Sequence, residues 1–136
     1  MIALSIRQPW AWATVFGPKR VENRSRRAPS KHVGTRIALH ASLGFDREGE
    51  RAILDFIAPE FDMPAKDGFP RGVIMGTAVL ACCLPKQDSS VANDPWAFGP
   101  WCYVWEDVRP LVDLIPCKGR LGFWTVPADV AARIAP

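Results

Sequence analysis

Lys19, Glu22 and Arg24 are the residues of this sequence whose types and spacing best suit chemistry on a ligand. Side chains alternate along a strand, so Glu22 and Arg24 should project to the same side of the strand predicted over residues 20–24. Lys19 stands at the turn before that strand and can reach either one. A carboxylate beside two cations stays ionised and can accept a hydrogen bond from the exocyclic amine of a nucleobase. The alternative is a plain ion pair at the surface, which contributes at most about 1 kcal/mol.

Positive charge is concentrated around these residues. Between residues 19 and 36 there are seven basic residues and a single acid, which gives +6, so the net charge of +3 for the chain leaves −3 for the rest. The basic residues of the segment are Lys19, Arg20, Arg24, Arg26, Arg27, Lys31 and Arg36. Such a segment on a mildly acidic body is typical of a polyanion-binding face, and a solvated basic loop is the alternative.

The hydrophobic pattern predicts six or so short strands, at residues 3–6, 20–24, 35–41, 72–84 and 101–108, with residues 111–115 and 121–126 each able to form a further strand. Gly76 within the long apolar run indicates a bulge or a close backbone approach. Helices rarely separate these strands. The chain is therefore predicted to be one α+β domain over residues 1–136, a mixed β-barrel of about six strands with two or three packed helices.

The first helix should begin near Pro9, which suits a first helical position, and end at Gly17-Pro18. Its predicted core stripe consists of Ala11, Trp12, Val15 and Phe16. Trp10 lies roughly 200° around the helix from Trp12, so it either packs on another layer or lines a cleft.

A second helix should be capped by Asp46, with Ala52, Ile53, Phe56 and Ile57 as its apolar stripe. A short final helix is predicted over residues 127–134. In the long loop over residues 86–100, Trp96 and Phe98 could cover a cleft, although anchoring the loop is the simpler role.

Several functional classes find no support in the composition. No apolar run approaches the roughly 18 residues of a membrane span, and no secretion signal is recognisable, which favours a cytoplasmic protein. The four cysteines form no C-x-x-C pair and only two histidines occur, so we expect no metal, no cofactor and buried reduced thiols. Gly-rich phosphate loops, G-x-S-x-G and H-E-x-x-H are missing, and the oligomeric state is left open.

Five short motifs follow one another in order along nearly the whole chain. They are S-I-R-Q-P-W-A at residues 5–11, G-x-K-x-x-E-x-R at 17–24, I-A-L-H-A-S at 37–42, G-x-x-x-G-T-A at 72–78 and K-G-x-L-G-F-W at 118–124. Together they resemble the ASCH domain family of the PUA-like superfamily. That resemblance implies a β-barrel with helices around it, a cleft beside the first helix, and binding of RNA or of a flipped or modified base.

The predicted ligand is therefore RNA or a nucleoside. Trp10 would be a stacking platform, the start of the first helix near Arg7 and Gln8 would offer free N–H groups, and other cations would hold the backbone. His40 is more simply a hydrogen-bonded structural residue than a base. The predicted nucleic-acid-binding residues are Arg7, Gln8, Trp10, Lys19, Arg24, Arg26, Arg27, Lys31, Arg36 and His40.

Two other functions stay open. Some proteins similar to this one are amidohydrolases that act on N4-acetylated cytidine through Lys-x-x-Thr and a glutamate; Lys19 matches, but Glu22 replaces the threonine and residues 72–85 contain no carboxylate. Others have been proposed as ribonucleases, and here Glu22 would be the base on a 2′-hydroxyl while Lys19 or Arg24 stabilises the phosphorane. In that case Lys19, Glu22 and Arg24 are the catalytic residues. The third alternative is a protein-interaction module.

Overall fold

Six strands form one mixed sheet in the computed structural model, which describes residues 1–134. The strands are β1 (Ile2–Gln8), β2 (Val21–Arg24), β3 (Arg36–Phe45), β4 (Val73–Pro85), β5 (Trp101–Pro116) and β6 (Phe123–Thr125). Their order in the sheet is β2-β5-β4-β3-β1-β6, with β1 parallel to β3 and the other neighbours antiparallel. The α-helices are α1 (Trp10–Val15), α2 (Arg47–Ala52) and α3 (Ala128–Ile134). The predicted α+β class is confirmed.

The sheet curls into a half-barrel. Three strands separate β2 from β1 in the sheet order, yet Arg24 of β2 donates through Nη2 to the backbone oxygen of Ser5 in β1 at 2.8 Å. Farther along, Tyr103 of β5 stacks on Phe123 of β6 with ring centroids 5.9 Å apart. These contacts bring the two ends of the sheet together, which confirms the predicted partly open barrel.

Helices cover both faces of the curled sheet. On the inner face, Ala11 and Val15 of α1 pack in one buried cluster with strand residues such as Leu39. On the outer face, Val130 and Ile134 of α3 pack in a second cluster. Burying an aliphatic side chain such as Leu39 contributes about 1.5–3 kcal/mol, so these two layers hold the sheet in its curled form. Within residues 1–134, no helix is long and apolar enough to cross a membrane.

Residues 101–116 form a single strand, so the prediction of two separate strands is wrong. β2 pairs with β5 only at its first residues, up to Val104. Beyond that point β4 is the only strand of residues 1–134 that pairs with β5, so Pro110 is tolerated because its missing N–H leaves no second described strand without a donor. Opposite it, a Cβ on Gly76 would lie 2.7 Å from Arg109 O, which confirms the predicted close backbone approach.

Each of the two predicted helical stripes contains one phenylalanine that is exposed instead of buried. Phe16 is 42% exposed because α1 ends at Val15. Phe56 is 79% exposed because α2 continues as a π-helical turn at Ile53–Ile57, whose wider spacing moves residue 56 away from the core. The capping prediction is confirmed, since the Asp46 side chain accepts from Gly49 N.

The cysteines are less buried than predicted. All four thiols are free, but only Cys102 is fully buried, while Cys82, Cys83 and Cys117 are half-buried. The last three lie on the second half of β4 and just after β5, where the sheet is only partly covered.

Candidate functional site

A cavity of about 1270 Å³ opens where the two ends of the sheet approach each other. Its walls come from β1, β2, β3, the start of α1, Phe98, and the segment over residues 117–122, which we call the rim loop. Pockets for small molecules usually measure roughly 300–1,000 Å³, so this cavity has room for more than one nucleoside-sized group.

Lys19, Glu22 and Arg24 meet at one wall of the cavity. Lys19 Nζ lies 3.0 Å from Glu22 Oε1 and also donates to the Val21 backbone oxygen. Arg24 Nε donates to Glu22 Oε2 at 2.9 Å. Lys19 is 1% exposed and Glu22 is 7% exposed, so the group is a buried network rather than the surface ion pair that the sequence left open. Removing either charge of such a network leaves a buried charge unpaired.

The pKa of the Glu22 carboxyl lies below its ordinary value. Burial acts to raise this pKa, but the charges of Lys19 and Arg24 and their hydrogen bonds to the carboxylate outweigh burial. Glu22 is therefore ionised at neutral pH. Each carboxylate oxygen offers more than one acceptor direction, so Glu22 can still accept a hydrogen bond from a ligand amine.

The local sequence positions this network. Gly17 and Pro18 follow the end of α1, and Lys19 N donates to Ala13 O at 3.1 Å, which turns the chain back along the helix. Lys19 Nζ then lies 5.5 Å from the centre of a Trp10 ring, a cation–π contact. β2 begins directly afterwards at Val21, and its alternation brings Glu22 and Arg24 to the cavity together.

Trp10 is a rigid wall of the cavity. Its Nε1 donates to Asp46 Oδ2 at 2.9 Å, and its ring meets Trp96 edge-on at 6.5 Å. α2 lies directly on the indole, because a Cβ added at Gly49 would come within 2.4 Å of Trp10 Cζ2. Both alternatives for Trp10 are therefore correct, because it lines the cavity and also packs against the hydrophobic layer that contains Trp96.

Ser5 and His40 form a second polar group in the cavity. The Cys117 carbonyl oxygen lies 2.7 Å from His40 Nε2 and can only accept, so Nε2 carries the proton. His40 Nδ1 is then the acceptor for the Ser5 hydroxyl at 3.3 Å, and Trp124 Nε1 donates to Ser5 Oγ at 2.9 Å. Burial lowers the pKa of His40, against a smaller raising effect of the Cys117 carbonyl. His40 is hydrogen-bonded, as predicted.

Six of the predicted site residues line the cavity: Arg7, Trp10, Lys19, Glu22, Arg24 and His40. Gln8 does not. It is completely buried, its Oε1 accepts from Trp12 N at 2.9 Å, and its Nε2 donates to Pro70 O at 2.8 Å. The predicted free donors at the start of α1 are thus partly occupied, because the Gln8 side chain caps the helix.

The other predicted cations lie outside the cavity lining. Arg36 donates to Thr77 Oγ1 at 2.9 Å and pairs with Asp107. Arg27 stacks over the Trp101 ring at 4.6 Å. Arg26 and Lys31 are exposed side chains before and within a short 3-10 turn. These residues could contact only a ligand that extends beyond the cavity.

Sequence reasoning missed two cations of the site, Lys118 and Arg120 of the rim loop. The K-G-x-L-G-F-W motif was visible, but nothing in it indicates that the loop faces Glu22. The ionic residues of the lining are Arg7, Lys19, Glu22, Arg24, Asp46, Lys118 and Arg120. Five cations and two carboxylates give the lining a net charge of +3.

Two roles were predicted for Trp96 and Phe98, anchoring their loop and covering a cleft, and each residue matches one of them. Trp96 is buried against Trp10 and anchors its loop, whereas Phe98 is 55% exposed and stands at the cavity. Asn23 Oδ1 accepts from Phe98 N at 2.7 Å and from Gly99 N at 2.8 Å, so β2 holds this loop beside the site. Within residues 1–134, no cluster of three potential metal-ligating side chains occurs.

Comparison with known proteins supports the fold. No family model matches the chain, and no curated protein matches it in sequence. Among solved structures, ASCH from Zymomonas mobilis superposes with a TM-score of 0.61 at 15% identity, covering 97% of this chain and 91% of that one. A serine-to-alanine variant of the Zymomonas mobilis protein superposes with a TM-score of 0.57 at 13% identity, and the superposition covers 97% of this chain and 92% of the variant. A tyrosine-to-phenylalanine variant of the same protein superposes with a TM-score of 0.58 at 13% identity, and the superposition covers 97% of this chain and 94% of the variant.

The predicted ASCH-type fold is therefore confirmed over nearly the entire chain. The superpositions show a shared fold, and at identities of 13% and 15% they show nothing about the chemistry of the cavity, which depends on its own residues.

Proposed function

We propose that this protein binds single-stranded RNA and holds one unstacked nucleobase in the cavity beside Glu22. The observation that carries the proposal is the ionised Glu22 carboxylate, held between Lys19 and Arg24 in a cavity that is otherwise positively charged. An acceptor of this kind suits the N–H groups on the edge of a base. The cations around it suit the phosphates on either side of that base.

Recognition of the base would combine stacking and hydrogen bonding. Trp10 is held rigid by Asp46 and Trp96, so its indole can stack on a base without losing side-chain freedom. Stacking on an aromatic side chain contributes about 1–3 kcal/mol per base in single-strand recognition. Glu22 would accept from an amino or imino N–H on the edge of that base.

The rest of the strand would be held by charge alone. Arg26, Arg27 and Lys31 are exposed close to β2 in sequence, and a strand that leaves the cavity along this segment would meet them in turn. Contacts of this kind add affinity without sequence preference and weaken with salt.

A labelled single-stranded RNA titrated at two salt concentrations tests the proposal. The protein should bind with an affinity that falls as salt rises, and Glu22→Gln should weaken binding about tenfold or more, because hydrogen bonds to charged groups contribute about 1.5–3 kcal/mol. Glu48→Gln on α2 is the matched control, since Glu48 is exposed and outside the cavity lining. An RNA affinity that changes neither with salt concentration nor with the Glu22→Gln substitution would overturn the proposal.

A hydrolase acting on the same ligand is the second candidate, and the Ser5–His40 contact favours it. His40 presents an unprotonated Nδ1 to a serine hydroxyl, which is the polarity that a general base needs. The ionised, doubly paired Glu22 suits the role of base less well, because its pKa is lowered away from neutrality.

Assays for RNA fragments and for deacylated N4-acetylcytidine, run on the same binding mixtures, separate binding from catalysis. Turnover that Ser5→Ala abolishes would favour hydrolysis through Ser5. Turnover lost in Lys19→Ala or Glu22→Gln, with the fold retained, would support the predicted catalytic role of Lys19, Glu22 and Arg24. Binding without either product supports the non-catalytic function.

A further inference from the structure

The rim loop, residues 117–122, connects β5 to β6, and all six of its residues line the cavity. Both of its ends are fixed to the sheet. Cys117 N donates to Gly72 O at 3.0 Å, and Gly122 O accepts from Ser5 N at 3.3 Å. A loop held in this way presents its middle residues to the cavity in a defined orientation.

The middle of the rim loop carries unused hydrogen-bond donors. The backbone N–H groups of the four consecutive residues 118–121 donate to no acceptor within the part of the chain that the structure describes, residues 1–134. Successive backbone N–H groups of a turn form concave sites that favour anions. All four residues line the cavity, and their N–H groups have no partner among the described residues.

The side chains of the same segment add positive charge. Lys118 and Arg120 are exposed, and neither forms an ion pair with a carboxylate among residues 1–134. The other three cations of the lining are paired, Arg7 with Asp46 and both Lys19 and Arg24 with Glu22. Among the residues that the structure describes, 1–134, Lys118 and Arg120 are thus the two cations of the lining that form no ion pair with a carboxylate.

The loop lies next to the proposed base site. A Cβ added at Gly119 would come within 2.3 Å of His40 Cε1 and 3.0 Å of Ser5 Oγ, so the loop backbone rests directly on the Ser5–His40 pair. Ser5 O in turn accepts from Arg24, which holds Glu22. The carboxylate and the loop are therefore linked through Arg24 and Ser5.

We propose that the rim loop binds a phosphate group of the nucleotide whose base lies against Glu22. The phosphate would accept from the N–H groups of residues 118–121 and pair with Lys118 and Arg120. This inference rests on the proposed function and narrows its ligand: the cavity takes a phosphorylated nucleotide, alone or within a strand, in preference to a free nucleoside.

Calorimetric titration with the four ribonucleosides and with their 5′- and 3′-monophosphates tests the inference. For at least one base, a monophosphate should bind about tenfold or more tightly than its nucleoside, and inorganic phosphate should compete with it. In the Lys118→Ala/Arg120→Ala double variant this preference should shrink, because the two charged partners of the phosphate are lost while the backbone N–H groups of residues 118–121 remain. Both side chains are exposed, so the fold should be retained.

The control is Arg51→Ala/Arg133→Ala, which removes two exposed cations outside the cavity lining. It should keep the phosphate preference. Equal binding of monophosphates by the rim-loop variant and the wild type would overturn the inference, and so would a wild type with no phosphate preference. If Glu22→Gln nevertheless weakens RNA binding, the proposed function holds although the rim loop does not bind phosphate. If the wild type binds no nucleoside, nucleotide or RNA, the proposed function and the rim-loop inference are both wrong.

Discussion

Arg24 of β2 donates to the backbone oxygen of Ser5 in β1 at 2.8 Å, across a gap between strands that are not neighbours in the sheet. The Nε of the same guanidinium donates to Glu22 at 2.9 Å. One side chain therefore links the curling of the sheet to the orientation of the carboxylate in the cavity, so we expect stability and ligand binding to depend on it together.

Arg24→Lys should impair both properties although it preserves the charge. A lysine ammonium is a point charge and cannot reproduce the planar contacts of the guanidinium with both Glu22 and Ser5. We expect a loss of about 1–3 kcal/mol in the free energy of unfolding, measured with urea, because a buried hydrogen-bonding group is left unsatisfied. RNA affinity should fall as well. Arg36→Lys is the control, because Arg36 pairs with Asp107 outside the cavity and should leave RNA affinity unchanged.

Glu22 should make the protein sensitive to acid. Its pKa is lower in the folded protein than its ordinary value of 4.5, so the unfolded chain takes up the proton first as pH falls. The stabilisation is therefore complete above about pH 4.5 and is lost as pH falls toward the folded pKa. Urea unfolding of wild type and Glu22→Gln should differ most near neutral pH and converge in acid. A difference that is constant with pH would contradict an ionised Glu22.

His40 should produce a second pH dependence at higher pH. Burial lowers its pKa below the ordinary 6.5, so the unfolded chain again protonates first, and stability falls as pH drops below about 6.5. The slope cannot exceed that of one proton, about 1.4 kcal/mol per pH unit. His40→Gln should flatten the unfolding free energy in this range. His32→Gln should change the pH dependence of the unfolding free energy less, because His32 is mostly solvated. Equal effects of the His32 and His40 substitutions would contradict the prediction.

Gln8→Ala should affect stability and leave base recognition intact. The substitution removes the acceptor for Trp12 N and the donor to Pro70 O, and buried groups left without partners cost about 1–3 kcal/mol. Thermal unfolding and RNA titration of the same variant check both parts. A variant of unchanged stability that has lost RNA affinity would instead place Gln8 in contact with the ligand, as the sequence first indicated.

The charged centre of the site could be predicted from the sequence because it depends on local geometry. Lys19, Glu22 and Arg24 lie within six residues, and the alternation of a regular strand is enough to bring the last two together. Asp46 as a helix cap and Gly76 as a close approach were predictable for the same reason, since each depends on its own few neighbours.

The remainder of the site depends on how the sheet curls. Lys118 and Arg120 reach Glu22's cavity only because β6 pairs with β1 and the two ends of the sheet close. Arg36 was predicted to bind nucleic acid like the other cations of its segment. It pairs instead with Asp107, which the pairing of strands distant in sequence brings beside it. Phe56 lies outside the predicted stripe because of a π-helical turn at Ile53–Ile57, which no residue pattern indicates.

Whether a base lies beside Glu22 can be measured by comparing the binding of an intact single-stranded RNA with that of the same strand carrying one abasic position, placed at each site in turn. The wild type should bind at least one abasic strand more weakly than the intact strand. In Glu22→Gln the difference in affinity between that abasic strand and the intact strand should be smaller, while the salt dependence of binding stays the same in both proteins. Equal affinity of the wild type for the intact strand and for all of the abasic strands would show that the protein contacts only the RNA backbone and that no base lies beside Glu22.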